Sequence, residues 1–207
     1  MTHRITVDPA GAVPREALEA ILGGAVVAYP TDTLYGLGVD PRLGDAVARL
    51  RRAKARVQGG GLPLIAASLS QVESALGPLP SIGRRLAEQF WPGPLTVIFA
   101  PSVSLADGVM APDGSVAVRV PASPLARELA RAAGFPITAT SANPAGETPA
   151  PTGADVARLM GHAVAVILDQ PDALRGAPST IVDTRGDVPT LVRAGVVPWN
   201  RVLQSAQ

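Results

Sequence analysis

The sequence predicts an α/β fold whose sheet is of mixed direction rather than regularly doubly wound. Three observations carry that prediction. Short aliphatic runs such as AVVAY, SVAVRV and AVAVIL recur between segments whose apolar residues fall at helical spacing. The order mixes these βα units with consecutive strands, as in STIVD followed by TLVRAG. The 21 glycines and 21 prolines are spread through the connections and no internal repeat is visible, so they punctuate one domain rather than mark a linker. With 207 residues and 47% hydrophobic content, one sizeable core is expected. A single domain over 1–207 follows.

In chain order, ITV at 5–7 reads as a short strand. A helix over about 14–22 follows, with proline near its first turn and Gly23-Gly24 at its end. AVVAY at 25–29 reads as a buried strand that empties into PTDTLYGLG, where YGLG is a weak nucleotide-loop signal. Residues 43–53 have helical spacing in Leu43, Val47 and Leu50, and deliver Lys54 and Arg56 at the helix C-terminus. A glycine triplet, Gly59 to Gly61, separates that helix from the strand candidate LPLIAA. Helices are expected near 70–76 and 81–90, and WPGPLTVIFA turns a corner into a strand at 95–100. SVAVRV at 115–120 alternates as a strand should. A helix at 124–133, the short strand PITAT and the turn-rich loop SANPAGETPAPTG come next. A helix at 153–160 and strands at 163–168, 179–183 and 190–195 complete the elements. The last ten residues read as an ordered residue or two and then a tail.

Composition removes several mechanisms. Cysteine is absent, which excludes disulfides, thiolate nucleophiles and cysteine-held zinc or iron–sulfur centres. Only His3 and His162 could serve a Ser-His-Asp triad or a multi-histidine metal site, so neither is expected; His162 suits a helix C-terminus. Net charge is +1, which gives no overall field for nucleic acid. Of the 18 basic side chains only Lys54 is lysine. No apolar run reaches eighteen residues and the N-terminus lacks a signal-peptide pattern, so a soluble cytoplasmic protein is expected.

Three polar clusters fall just past strand ends: PTDT, SAN, and Arg193 after TLV. Strand ends in open α/β sheets are where ligands collect, so the clusters suggest a shared site. Thr31, Asp32 and Thr33 suit a small polar ligand, and equally a turn or cap. Ser141 and Asn143 carry the same ambiguity. Lys54 and Arg56 could hold a polyphosphate or simply cap their helix. Arg119 ends an apolar strand, where a charge is costly unless it meets an acidic partner or a ligand anion.

In order, YPTDTLYGLG, KAR, PLI, WPGPLT, VRVP, SANPAG, STIVD and LVRAG resemble the motifs of the YrdC-type threonylcarbamoyl-AMP synthases, over about 15–197. The resemblance implies an open, twisted mixed sheet with flanking helices and a large cleft. It implies that L-threonine, bicarbonate and ATP give threonylcarbamoyl-adenylate and pyrophosphate, the first step toward threonylcarbamoyladenosine in tRNA. By motif, Thr31, Thr33, Arg119 and Thr180 would line the threonine site. Lys54, Arg56, Thr138, Thr140, Ser141, Asn143 and Arg193 would contact ATP, with Lys54 and Arg56 catalytic. Magnesium would come with ATP, held mainly by phosphates and water, and no protein metal site is expected. A separate transferase acting on tRNA is the implied partner. Many relatives carry proline where Val57 stands and histidine where Ala67 stands. The length matches the short, single-domain type. Rival readings are a YciO-like or carbamoyl-adenylate-handling relative, and an RNA-binding module using the arginines of RLRRAKAR and GRRL. Near-neutral charge and 3% aromatic content weigh against RNA as the main partner.

Overall fold

The computed structural model describes residues 2–54, 60–174 and 176–206. Its strands divide between two mixed sheets flanked by helices. The five-stranded sheet has the order β1 (His3–Thr6), β9 (Val166–Asp169), β2 (Val27–Pro30), β3 (Tyr35–Gly38), β8 (Thr140–Ser141). Its first three strands are parallel, and β3 is antiparallel to both β2 and β8. The six-stranded sheet has the order β11 (Thr190–Arg193), β10 (Thr180–Asp183), β5 (Leu95–Phe99), β6 (Val116–Arg119), β4 (Leu64–Ile65), β7 (Ile137–Thr138). Here β10 with β5 and β6 with β4 run parallel, and the other neighbours antiparallel.

The elements form for local reasons. In α1 (Arg15–Leu22), Ala17 and Ile21 lie one turn apart and are fully buried, where the helix packs on β9 and β2. Helix α2 (Gly44–Ala53) buries Val47 and Leu50 and ends at Lys54. Ser68, Ser123 and Thr152 cap α3 (Leu69–Leu76), α5 (Pro124–Ala132) and α6 (Gly153–Met160) by accepting from Gln71, Ala126 and Asp155 N–H groups. Helix α4 (Ser81–Phe90) packs on β5.

Three expectations are corrected. YGLG is strand β3, not a loop, and closes the β2–β3 hairpin with Tyr29 paired to Gly36. The glycines are needed because the buried Tyr29 ring lies against this strand: a Cβ at Gly38 would sit 2.7 Å from the ring. PITAT is not one strand, since β7 and β8 lie in different sheets, with Ala139 as the single residue between them. The chain end is not a tail but helix α7 (Trp199–Ala206), which packs on α4 and buries Val202 completely. Its apolar face is short: Val202 is fully buried, and Trp199 and Ala206, three and four residues away, are partly buried against the core.

Val202→Ala removes two buried methyl groups and is expected to cost about 2 kcal/mol. Urea unfolding measures it, and a loss below a few tenths of that would mean α7 does not unfold with the rest.

Candidate functional site

The two sheets face each other across a cavity of about 780 Å³, a size typical of small-molecule sites. The hairpin turn and β3 form one wall, through Thr31, Thr33 and Tyr35. Strands of the six-stranded sheet form the other, through Thr96, Ile98, Ala117, Arg119, Ile181 and Arg193. Lys54 and the loop after β8 close one end.

Arg119 ties the walls together. It stands at the end of β6, and its Nη2 donates to Asp32 Oδ1 at 3.1 Å and to Thr33 Oγ1 at 3.2 Å, both in the opposite sheet's hairpin turn. The residue is 6% exposed, and its Nη1 is buried with no hydrogen-bond partner. Burial pushes the guanidinium's pKa down and Asp32 pushes back up, with Tyr29 in the same sense and Arg193 opposing. Guanidinium starts so high that it stays charged. Burial also pushes the Tyr29 phenol far up, so it is a neutral donor, to Thr138 O at 2.7 Å.

Thr31 and Thr33 divide the roles that the sequence left open. Thr31 Oγ1 donates to Leu34 O and accepts from the N–H groups of Thr33 and Leu34, so it holds the turn. Thr33 Oγ1 accepts from Arg119. Gly176 lies against this turn: a Cβ there would sit 2.7 Å from Thr33 O and 2.8 Å from Thr33 Cα, both backbone atoms.

Lys54 is 4% exposed and reaches into the SAN loop. Its Nζ donates to Ser141 O at 2.6 Å, to Asn143 Oδ1 at 3.0 Å and to Asn143 O. The Asn143 amide donates to Pro144 O and Glu147 O, which fixes the loop's curl. On the opposite wall Arg193 donates through Nε and Nη2 to Ser179 O, and through Nη2 to Ser179 Oγ at 3.1 Å. Burial lowers its pKa.

The cavity therefore gathers Thr31, Thr33, Lys54, Arg119, Thr140, Ser141, Asn143 and Arg193 from five separate segments of the chain. Two expected residues lie elsewhere. Thr138 is fully buried; its hydroxyl donates to Leu37 O and accepts from Val39 N, so it joins β7 to β3 instead of facing the cavity. Thr180 is fully buried too, and its hydroxyl donates to Val197 O and accepts from Val197 N. Arg56 lies outside the described residues. Ala67 lines a separate depression of about 180 Å³ with Trp91, Pro92 and Val120. Thr96 and Ser179, whose hydroxyls are 2.8 Å apart in the cavity wall, were missed. The quoted motifs WPGPLT and STIVD contain both, but only strand register brings them together.

A cleft of this size, walled by buried cations and hydroxyls, has the dimensions and polarity of a small-molecule site. The family model described as "Telomere recombination", of the Sua5, YciO and YrdC proteins, matches residues 19–195. The threonylcarbamoyl-AMP synthase of Bacillus subtilis is 40% identical over 179 residues, covering 86% of this chain and 51% of that protein. That of Marinobacter nauticus is 40% identical over 171 residues, covering 81% of this chain and 88% of that protein. A crystal structure of P. abyssi Sua5 complexed with L-threonine superposes with a TM-score of 0.88 at 30% identity, covering 99% of this chain and 60% of that one. The chain belongs to the Sua5/YciO/YrdC family. It spans about half the length of the Bacillus subtilis relative.

Gly176→Ala is expected to displace the hairpin turn and speed amide exchange at Thr33 and Leu34 by about tenfold, the worth of roughly one hydrogen bond. Gly44→Ala, where a Cβ meets nothing within 4 Å, is the control and should leave those amides unchanged.

Proposed function

We propose that this chain is a threonylcarbamoyl-AMP synthase, joining L-threonine, bicarbonate and ATP into threonylcarbamoyl-adenylate and pyrophosphate. The observation that carries the reading is Arg119: a buried guanidinium in the cavity wall with one nitrogen unpartnered. A buried unpaired donor is unfavourable until an anion meets it, and a carboxylate matches its geometry. Family membership and the likeness to a Sua5 complexed with L-threonine make threonine the natural source of that carboxylate.

The chemistry asks little acid–base work of the protein. Threonine's amine and bicarbonate give a carbamate with loss of water. A carbamate oxygen then attacks the α-phosphorus of ATP, forming the P–O bond as the bond to the pyrophosphate oxygen breaks. Both reactants are anionic, so the site's task is to align them and to offset charge. Arg119 and Thr33 would hold the amino acid on one wall. Lys54, at the loop carrying Ser141 and Asn143, would face the nucleotide phosphates with Arg56, and Arg193 would approach from the six-stranded sheet.

Magnesium belongs to this reading as a companion of ATP. Among the described residues no group of three or more acidic or histidine side chains could hold a metal ion, so the phosphates and water would carry it. Its chemistry is charge neutralisation on the phosphates, and no step is assigned to a protein-held metal. The adenylate would pass to a separate transferase acting on tRNA.

Pyrophosphate release with ATP, magnesium and bicarbonate is expected to require threonine. Lys54→Met keeps the buried stem's volume and removes the ammonium, and should lower release at saturating ATP by about 100-fold. Release that ignores threonine would favour carbamoyl-adenylate handling, and RNA binding that weakens steeply with salt, in place of turnover, would favour an RNA-binding module.

A further inference from the structure

Strand order places four cavity-lining residues on four neighbouring strands of the six-stranded sheet. Ile181 pairs with Arg193 on one side and with Thr96 on the other. On the next strand, the β5–β6 register runs from Phe99–Val116 to Val97–Val118, and Thr96 and Arg119 are the residues that follow on the two strands. All four face the cavity, so Thr96 lies between the two arginines.

The hydroxyl protons can be counted. Arginine only donates, so Ser179 Oγ accepts from Arg193 Nη2 at 3.1 Å. Ser179 and Thr96 share one hydrogen bond of 2.8 Å, which uses one of their two hydroxyl protons. No other hydrogen bond engages either hydroxyl among the described residues. One proton therefore remains for a ligand. Donation from Arg193 polarises Ser179 and makes it the better donor, so it gives its proton to Thr96 and leaves the proton of Thr96 free. That free donor lines the same cavity as Arg119, on the neighbouring strand, and Arg119 Nη1 is also unpartnered.

We propose that Thr96 is a substrate-binding residue, its hydroxyl donating to the amino-acid carboxylate held by Arg119, with Ser179 and Arg193 setting the direction of that donation. This rests on the synthase reading above. The shared chemistry is an anionic oxygen, and ATP phosphate is the other source of one.

The test is steady-state pyrophosphate release, together with calorimetric threonine binding, for wild type, Thr96→Val and Thr96→Ser. Valine matches the shape of threonine and suits a buried strand, so the fold should hold. Thr96→Val is expected to raise KM and Kd for threonine by about 10- to 100-fold, the worth of a hydrogen bond to a charged group, with KM for ATP within about twofold. Thr96→Ser should restore most of the loss. Unchanged threonine constants in Thr96→Val, or a rise confined to ATP, would overturn the assignment while leaving the synthase reading intact. Wild type that neither binds threonine nor requires it would overturn both.

Discussion

The contact on which the cleft depends is the one between Arg119 and the Asp32–Thr33 turn. It crosses from the six-stranded to the five-stranded sheet at 3.1 and 3.2 Å, and so fixes how the walls face each other. Taking a guanidinium out of water costs several kcal/mol unless it is paired. Asp32 supplies the charge, Thr33 an oxygen, and Nη1 is left without a partner. A fold optimised for stability alone would fill that place with an apolar side chain. Keeping a half-satisfied cation makes the ligand-free site less favourable and an anion-filled site more so, which is how binding energy is concentrated at one point.

The second constraint is the crossing between sheets at Ala139. Because β7 and β8 are a single residue apart yet lie in different sheets, the chain leaves the seam directly into the SAN loop. Thr138 holds the seam through its hydroxyl bonds to Leu37 and Val39, and Tyr29 donates to the Thr138 carbonyl from below. Lys54 then pins the loop to the end of α2. Buried, fully bonded polar groups of this kind are rigid, since no water competes for them. The Thr138 side chain therefore holds the frame of the cavity.

The same division of labour explains the chemistry proposed for the cavity. Among the described residues its polar side chains are hydroxyls, one amide, two arginines and Lys54, a set suited to positioning ligands and neutralising charge. With histidines only at His3 and His162 in the chain, alignment of two anionic partners is the task this set of residues suits.

Much of this was legible in the sequence because it rests on local patterns. Helical spacing placed α1 through α6 within a few residues, aliphatic runs placed β2, β5, β6, β9 and β10, and strand-end polar clusters named five residues that line the cavity, Thr31, Thr33, Ser141, Asn143 and Arg193. Glycines misled where their reason was distant: YGLG reads as a loop until Tyr29 is seen to need the space. The inward turn of Thr138 and Thr180, the ordering of α7 against α4, and the placing of Arg193, Ile181, Thr96 and Arg119 on neighbouring strands depend on contacts between segments far apart in the chain. The sequence by itself determined which residue types were available for the site and near which strand ends they stand. Only the tertiary structure decided which of them share a face, because a strand's own pattern sets which side is buried but not which distant strand pairs with it.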